Sequence, residues 1–241
     1  MWIDVLRRES GAATPYLQRF LYEPEEETET VATALTRLNE RADLRDATGA
    51  AAEPIRWACS CLQKKCGACA MVIDGVPRLA CDARLSSFKR GVRLEPLRKF
   101  PVVADLIVDR SVLRENLAAM RVWFNSDAAM HSRAAAVGYE ASRCLQCGCC
   151  LEVCPNFAPG GRFVGMAAAV PVTRLLAELP AAEQAELAAL YRERVFEGCG
   201  KSLACRTICP AEIDIDAMLV NSNAVAVWKR LLRNVDKPRK K

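Results

Sequence analysis

Cysteine is the residue type that could do chemistry in this sequence, because the chain holds thirteen cysteines and one histidine. Most of the cysteines fall into three groups, which begin at Cys61, Cys144 and Cys199. A thiolate binds metals well, and clustered cysteines in a reducing compartment are more often metal ligands than disulfides. The first residues, MWIDVLRRESG, lack the apolar core and cleavage site of a secretory signal. We therefore expect an intracellular protein with bound metal.

The first group has the spacing C-x4-C-x2-C, followed by a further cysteine twelve residues on. This spacing is that of plant-type [2Fe-2S] ferredoxins, so it predicts a [2Fe-2S] cluster with four ligands: Cys61, Cys66, Cys69 and Cys81. A zinc site is the alternative, although structural zinc sites usually pair C-x2-C units. Cys59 is too close to Cys61 to be a further ligand, and we interpret it as a spare buried thiol.

The second and third groups are near repeats of each other, CLQCGCCLEVCP from Cys144 to Pro155 and CGKSLACRTICP from Cys199 to Pro210. The second has the C-x2-C-x2-C-x3-C-P spacing of bacterial ferredoxins, in which the fourth cysteine ligates the other cluster. This crossing rule predicts a [4Fe-4S] cluster held by Cys144, Cys147, Cys150 and Cys209. It predicts a further cluster held by Cys154, Cys199 and Cys205.

Ser202 stands where the repeat would supply the fourth sulfur of that further cluster. A hydroxyl is a poor iron ligand unless it is deprotonated, and a thiol ionises far more easily. The expected cluster is therefore [3Fe-4S], with a fourth iron ligated by Ser202 as the alternative. Cys149 could replace its neighbour Cys150 as a ligand, but only Cys150 keeps the spacing.

The elements that must position these cysteines predict an α+β chain with a change of character near Pro101. Strands are expected at 2–8, 16–22, 70–73 and 76–81, with the last two joined by an Asp-Gly turn. A short helix is indicated by apolar spacing at Val31, Leu35 and Leu38.

After Pro101 the strand signals fade and helical periodicity takes over. One helical face is predicted at Leu113, Leu117, Met120 and Phe124, and helical stretches are predicted from 165 to 196. A last amphipathic helix is predicted from a further set: Val220, Ala224, Val227, Leu231 and Val235. The predicted domains are 1–104 and 105–241.

Taken together, these features resemble the iron-sulfur subunit of succinate dehydrogenase and fumarate reductase over nearly the whole chain. The cysteine groups match in their spacing. Beyond the cysteines, the match extends over four stretches: CGACAMVIDGVPRLAC, LEPLRKFPVVADLIVDRS, CLQCGCCLEVCPNF and a later RFVG. The resemblance implies an N-terminal plant-type ferredoxin domain of β-grasp fold, followed by a mainly helical double-cluster ferredoxin domain. It also implies a chain with no catalytic residue, which carries electrons between FAD in a flavoprotein subunit and membrane quinone.

The same resemblance implies membrane anchor subunits, for which haem b is one candidate cofactor, and a peripheral place on the cytoplasmic face of the cell membrane. The sequence has no run of about 18 apolar residues that would span a bilayer. Its net charge of +5 is modest and does not indicate nucleic-acid binding. His131 and the terminal DKPRKK are interpreted as solvated.

Three positions depart from the family pattern. Lys64 stands where glycine is usual, so the backbone must differ or the lysine must accept strain. Gly200 and Pro159 stand where ubiquinone-reactive members have histidine and tryptophan, so menaquinone is the expected quinone. Two other functions stay open, an iron-sulfur subunit for a different flavoprotein and a zinc-stabilised interaction module.

Overall fold

The computed structural model describes residues 1–123 and 132–229, which divide into two compact units. The first unit comprises residues 1–110 and 145–152, and the second comprises the rest of the described chain. The first unit therefore includes most of the second cysteine group. The domain boundary between residues 104 and 105 stays a prediction.

A mixed sheet forms the centre of the first unit. β1 (Trp2–Arg7) pairs antiparallel with β2 (Tyr16–Leu21), while β3 (Ala70–Ile73) pairs antiparallel with β4 (Val76–Leu79). β5 (Gly91–Glu95) lies between the two pairs, parallel to β1 and antiparallel to β3. The predicted strands are present, and β1, β2 and β4 end one or two residues earlier than expected.

The turn between β3 and β4 follows the prediction from its Asp-Gly sequence. Asp74 and Gly75 have φ values of 49° and 79°, which are the two positive φ angles of a type I′ hairpin turn. This turn fixes the register of the hairpin, in which Ala70 faces Leu79. The hairpin thereby sets the spacing between the chain segments that carry Cys69 and Cys81.

The helix α1 (Val31–Asn39) begins at an N-cap, Thr30, whose side chain accepts a hydrogen bond from the backbone of Thr33. The predicted apolar residues Val31, Leu35 and Leu38 are buried. Two first-turn amides donate to the loop that carries Cys81, Val31 N to the Ala83 carbonyl at 2.9 Å and Ala32 N to the Ala80 carbonyl at 3.0 Å. The start of α1 therefore holds that loop in place.

A second, two-stranded sheet lies where strand structure was expected to end. β6 (Val102–Ala104) and β7 (Ile107–Val108) are antiparallel, and Asp105 between them has a φ of 45°. The Asp105 carboxylate accepts from the backbone of Arg8 and Arg56, both at 2.9 Å, and pairs with the buried Arg7 at 3.1 Å. Strands this short show no measurable period, so the expectation from hydropathy was wrong.

Helices dominate the chain after residue 110. They are α2 (Ser111–Ala119), α3 (Ser132–Ser142), α4 (Cys149–Val153), α5 (Met166–Glu178), α6 (Ala181–Tyr191), α7 (Ala204–Ile208) and α8 (Ile215–Asn223). There are also a 3₁₀ turn at Leu85–Ser87 and π-helical turns at Arg192–Phe196 and Ala224–Trp228. In the described ranges, none of the helices is long and apolar enough to cross a membrane.

The apolar face predicted for the last helix is confirmed at Val227, which is buried, and wrong at Val220 and Ala224, which are exposed. The buried line of α8 instead includes Leu219 and Ser222. Ser222 shares a hydrogen bond of 2.8 Å with Thr173 of α5. Because the two hydroxyls satisfy each other, a polar residue can be buried at a position where a hydropathy pattern predicts an apolar one. Other predicted positions lie outside the described residues: Phe124, His131, Leu231, Val235 and the terminal DKPRKK.

Glu29 is a buried carboxylate at the entry to α1. It accepts hydrogen bonds from the Tyr22 hydroxyl at 2.5 Å, the Arg37 guanidinium at 2.6 Å and the amides of Glu25 and Glu26 at 2.9 and 3.2 Å. Burial and the Glu29 charge raise the pKa of Tyr22 to about 12. Burial alone would raise the pKa of Glu29, but these donors outweigh it and lower the pKa.

We expect Glu29→Gln to lower the free energy of unfolding at pH 7 by about 2 kcal/mol, because a charged buried acceptor is lost. The wild-type advantage should be complete above the usual glutamate pKa of 4.5 and should disappear as the pH falls through the lower folded pKa. Anaerobic urea unfolding followed by far-ultraviolet circular dichroism measures this. A difference that stayed constant down to pH 3 would contradict the assignment.

Candidate metal centres

The four cysteines of the first group lie in the loops that precede β3 and follow β4. The Sγ atoms of Cys69 and Cys81 are 3.4 Å apart, and the Ala80 amide donates to the Cys69 carbonyl at 3.1 Å. Cys66 hydrogen-bonds to the sulfur of Cys61. The structure therefore arranges the four thiols as two close pairs.

Two pairs of thiols are the donor set of a two-iron cluster, in which each iron takes two protein sulfurs. A tetrahedral metal with bonds of about 2.3 Å to sulfur holds two sulfurs roughly 3.8 Å apart, close to the observed spacing of Cys69 and Cys81. In the described ranges, no three His, Cys, Asp or Glu side chains are grouped to hold one metal ion. The geometry of the pairs fits a [2Fe-2S] cluster.

Backbone amides of the first loop point at the sulfurs. The amides of Gln63 and Lys65 donate to Cys61 Sγ at 3.3 and 3.4 Å, and the amide of Lys64 donates to Cys81 Sγ at 3.3 Å. The hydrogen bonds from Gln63, Lys65 and Cys66 lower the pKa of Cys61 to about 7. The loop is therefore built to stabilise negative charge on sulfur.

Lys64 accepts the backbone strain that glycine would avoid, with a φ of 58°. A non-glycine residue in this left-handed region costs about 1–2 kcal/mol. Its ammonium pairs with Asp82 at 2.9 Å, so a carboxylate offsets its positive charge. Cys59, in contrast, is exposed, which corrects the expectation of a buried thiol. It lies in a segment without regular secondary structure.

The loop of the first group packs directly on the segment that carries Cys147, within the first unit. Gly67, with a φ of 74°, is the point of contact. A Cβ atom at this residue would lie 2.7 Å from the Leu145 carbonyl oxygen and 2.8 Å from Cys147 Cβ. The segment 145–152 is also held by the Lys99 amide, which donates to the Glu152 carboxylate at 3.0 Å.

Cys149 is fully buried beside Cys147. A hydrogen bond from Cys149 is the main cause that lowers the pKa of Cys147 to about 7, and the same bond together with burial raises the pKa of Cys149. Cys149 is therefore the hydrogen-bond donor and Cys147 the acceptor of this pair. In this geometry Cys149 supports a neighbouring ligand, as expected if Cys150 keeps the ligand position.

Cys144 and Cys209 belong to the second unit, unlike Cys147 and Cys150. The Arg143 guanidinium donates to the Ala211 carbonyl at 2.6 Å, and the Asp214 amide donates to Glu140 at 3.3 Å. These bonds hold the chain next to Cys144 against the chain next to Cys209. The ligand set Cys144, Cys147, Cys150 and Cys209 includes cysteines of both units and stays a prediction.

The third predicted set, Cys154, Cys199 and Cys205, lies within the second unit. Burial raises the pKa of Cys205 to about 11, and the charges of Cys154 and Cys199 add to this effect. A Cβ atom at Gly200 would lie 3.0 Å from the Asn156 side chain, so the segments after Cys154 and Cys199 are in contact. The structure therefore places Cys154 and Cys199 close enough for their charges to act on Cys205. Ser202 is exposed.

An apolar groove of about 420 Å³ opens beside Cys199. Phe196, Leu219, Val220 and Trp228 contribute to its walls, and Lys201 lies at the same groove. The rings of Phe196 and Trp228 pack edge to face at 5.9 Å, and the Lys201 ammonium lies 5.3 Å from the Phe196 ring. Val220, which was predicted to be buried, is 66% exposed because it lines this groove.

Two residues near the cysteines were missed by sequence reasoning, Gly67 and Arg110. The Arg110 guanidinium donates to the carbonyls of Gly67, Ala68 and Ala70 at 2.9, 2.9 and 3.1 Å. Arg110 lies in LEPLRKFPVVADLIVDRS, which stands out in the sequence only as a stretch that matches the family. A contact between residues about forty positions apart leaves no periodic signal, so spacing alone could not find it.

The comparisons with known proteins agree with this geometry. Residues 3–115 match the family described as a 2Fe-2S iron-sulfur cluster binding domain, and residues 140–213 match the 4Fe-4S dicluster domain family. The chain is thus an iron-sulfur protein with two successive ferredoxin-type domains, and the predicted α+β fold class is confirmed.

The chain is 32% identical over 229 residues to the succinate dehydrogenase iron-sulfur subunit of Bacillus subtilis, covering 91% of this chain and 89% of that protein. It is 29% identical over 197 residues to the fumarate reductase iron-sulfur subunit of Escherichia coli, covering 76% and 78%. A chain of the Mycobacterium smegmatis Sdh1 complex in the apo form shares the fold, with a TM-score of 0.74, 23% identity and coverage of 95% and 96%. This protein belongs to the family of iron-sulfur subunits of succinate dehydrogenase and fumarate reductase, and its role is electron transfer in an oxidoreductase.

We expect Gly67→Ala to lower the free energy of unfolding by about 3–4 kcal/mol, because the new methyl group meets backbone and Cys147 in addition to the unfavourable φ. Gly49→Ala is the matched control, since Gly49 has a φ of 86° but open space around it. It should cost only about 1–2 kcal/mol. Anaerobic urea unfolding of both variants measures the difference, and equal losses would show that the contact at Gly67 is not tight.

Proposed function

We propose that this chain passes electrons between an FAD-containing flavoprotein subunit and membrane quinone through three iron-sulfur clusters. The proposed ligands are Cys61, Cys66, Cys69 and Cys81 for [2Fe-2S], Cys144, Cys147, Cys150 and Cys209 for [4Fe-4S], and Cys154, Cys199 and Cys205 for [3Fe-4S]. The observation that carries the proposal is the packing of the first ligand loop on the Cys147 segment at Gly67. We also propose that the boundary between the two domains lies between residues 104 and 105.

Iron-sulfur clusters, when bound, take up and release single electrons without making or breaking bonds in a substrate. The protein acts by stabilising one charge state over the other. The amides of Gln63, Lys64 and Lys65 donate to the sulfurs of Cys61 and Cys81. Because donors to sulfur favour the more negative, reduced state, these amides raise the reduction potential of the first site.

Gly67 lets two ligand-bearing segments touch without an intervening side chain. Cys66 precedes this glycine, and Cys147 lies against it on the other side. The arrangement supports a direct route for electrons from the first site to the second. Cys149 donates to Cys147 and so supports the charge of one ligand of that second site.

The groove beside Cys199 supports the exit of electrons from the third site to a quinone. Its walls are mainly apolar with a lysine nearby, as expected for a ring with two carbonyl oxygens. Gly200 and Pro159, in place of the histidine and tryptophan of ubiquinone-reactive members, favour menaquinone. The proposed setting is the cytoplasmic face of the cell membrane, held by anchor subunits for which haem b is a candidate cofactor.

The test is to purify the complex from membranes without oxygen, and to combine metal and acid-labile sulfide analysis with low-temperature electron paramagnetic resonance. We expect about nine irons and ten sulfides per chain, from the cluster formulae. An oxidised three-iron signal and two reduced-cluster signals should appear. Zinc without sulfide would overturn the proposal, and a flavoprotein that copurifies but acts on another substrate would assign the chain to a different oxidoreductase.

Ser202 offers a separate test of the third ligand set. We expect Ser202→Cys to add about one iron per chain and to abolish the three-iron signal of the oxidised protein, because it restores the fourth sulfur. Ser202→Ala should leave both unchanged. Loss of one iron in Ser202→Ala would show instead that the serine ligates a fourth iron.

A further inference from the structure

We propose that Arg110 is a positioning residue for electron transfer between the first two clusters, and that its single charge raises the reduction potential of both. This inference rests on the proposed ligand sets for those clusters. It concerns a residue that lies outside every cysteine motif. The contacts that carry it all fall within the first unit.

The guanidinium of Arg110 is fixed by the backbone of the first ligand loop. Its two terminal nitrogens donate to three carbonyls, those of Gly67, Ala68 and the first residue of β3, Ala70, at 2.9, 2.9 and 3.1 Å. The planar, forked guanidinium can satisfy several acceptors at once, which the ammonium of lysine matches poorly. One of the acceptors is the carbonyl of Gly67, the residue that touches Cys147. Arg110 therefore holds the loop at its point of contact with the second ligand segment.

The charge of Arg110 acts on cysteines of both ligand segments. Among the described residues no carboxylate pairs with it, and its hydrogen bonds go to neutral carbonyls. Burial lowers the pKa of Arg110, whereas the charges of Cys147, Cys149, Cys69 and Cys66 raise it. A partly buried cation without a carboxylate is costly unless another anion compensates it. Negatively charged clusters held by cysteines of both ligand segments would supply that compensation.

A cation shared by the two sites changes their redox balance in a defined way. Reduction adds one electron, and hence one negative charge, to a cluster. A fixed positive charge near both sites stabilises both reduced states, and it does so without rearranging when the electron arrives. Removing the charge should therefore lower both potentials together. None of the proposed ligands of the third site lies on the loop that Arg110 binds or on the segment 145–152, so the third site should keep its potential.

The experiment measures the midpoint potentials of all three clusters in the anaerobically purified complex by redox titration with electron paramagnetic resonance. Arg110→Gln and Arg110→Met remove the charge, while Arg110→Lys keeps it. In the neutral variants we expect the equilibrium constant for reducing each of the first two clusters to fall at least tenfold, about 59 mV in midpoint potential. In Arg110→Lys both constants should stay within about threefold of wild type.

Arg8→Gln is the matched control, because it removes one charge from a half-buried arginine of the same unit whose guanidinium donates to the Gly11 carbonyl at 3.2 Å. It should leave all three potentials unchanged. If the neutral variants lose iron, loss confined to the first two clusters supports the positioning role, and loss from all three contradicts it. Unchanged potentials in the neutral variants, or an equal shift in Arg110→Lys, would overturn the proposal. Wild-type protein without the first two cluster signals would instead refute the proposed function.

Discussion

The structure depends on one steric constraint, the absence of a side chain at Gly67. Two ligand-bearing segments that are about eighty residues apart in sequence meet at this glycine, and a single methyl group would force them apart. Several features of the first unit serve this contact. The β3–β4 hairpin sets the spacing of Cys69 and Cys81, the first turn of α1 holds the loop after β4, and Arg110 binds the carbonyl of Gly67 and two carbonyls that follow it. The fold can therefore be understood as a support for two adjacent loops.

Electrostatics imposes the second requirement, because several thiols have to carry negative charge in a partly buried setting. The protein meets it with different groups at each place. Backbone amides stabilise Cys61, a buried thiol donates to Cys147, and the Arg110 guanidinium is bound to the first ligand loop. Where such groups are few, as at Cys69 and Cys205, burial raises the thiol pKa to about 12 and about 11. At those two sites only a bound cation can make ionisation favourable at neutral pH.

Structural features that depend on the spacing of nearby residues could be predicted from the sequence. Features that depend on packing between distant segments could not. The cysteine groups and the Asp-Gly turn act over a few residues, so their spacing carries the structure, and the hairpin appeared where it was expected. The β6–β7 sheet is too short to show a period. The buried face of α8 was misassigned because Ser222 takes its place in the interior through a bond to Thr173. The contacts of Arg110 and the exposure of Cys59 depend on which distant segments cover them, and one sequence does not show this.

The return of residues 145–152 to the first unit has a consequence for how such a protein can be divided or recombined. A cut after Arg110 would leave a ferredoxin domain whose Gly67 and Lys99 lack their neighbours, Cys147 and Glu152. The two domains recognised by sequence families are thus not interchangeable modules. An exchange between relatives would have to carry the eight-residue segment with the N-terminal half, although it is encoded in the middle of the C-terminal half. Selection on the two halves is therefore linked, and changes at one ligand loop should be accompanied by changes in this short segment.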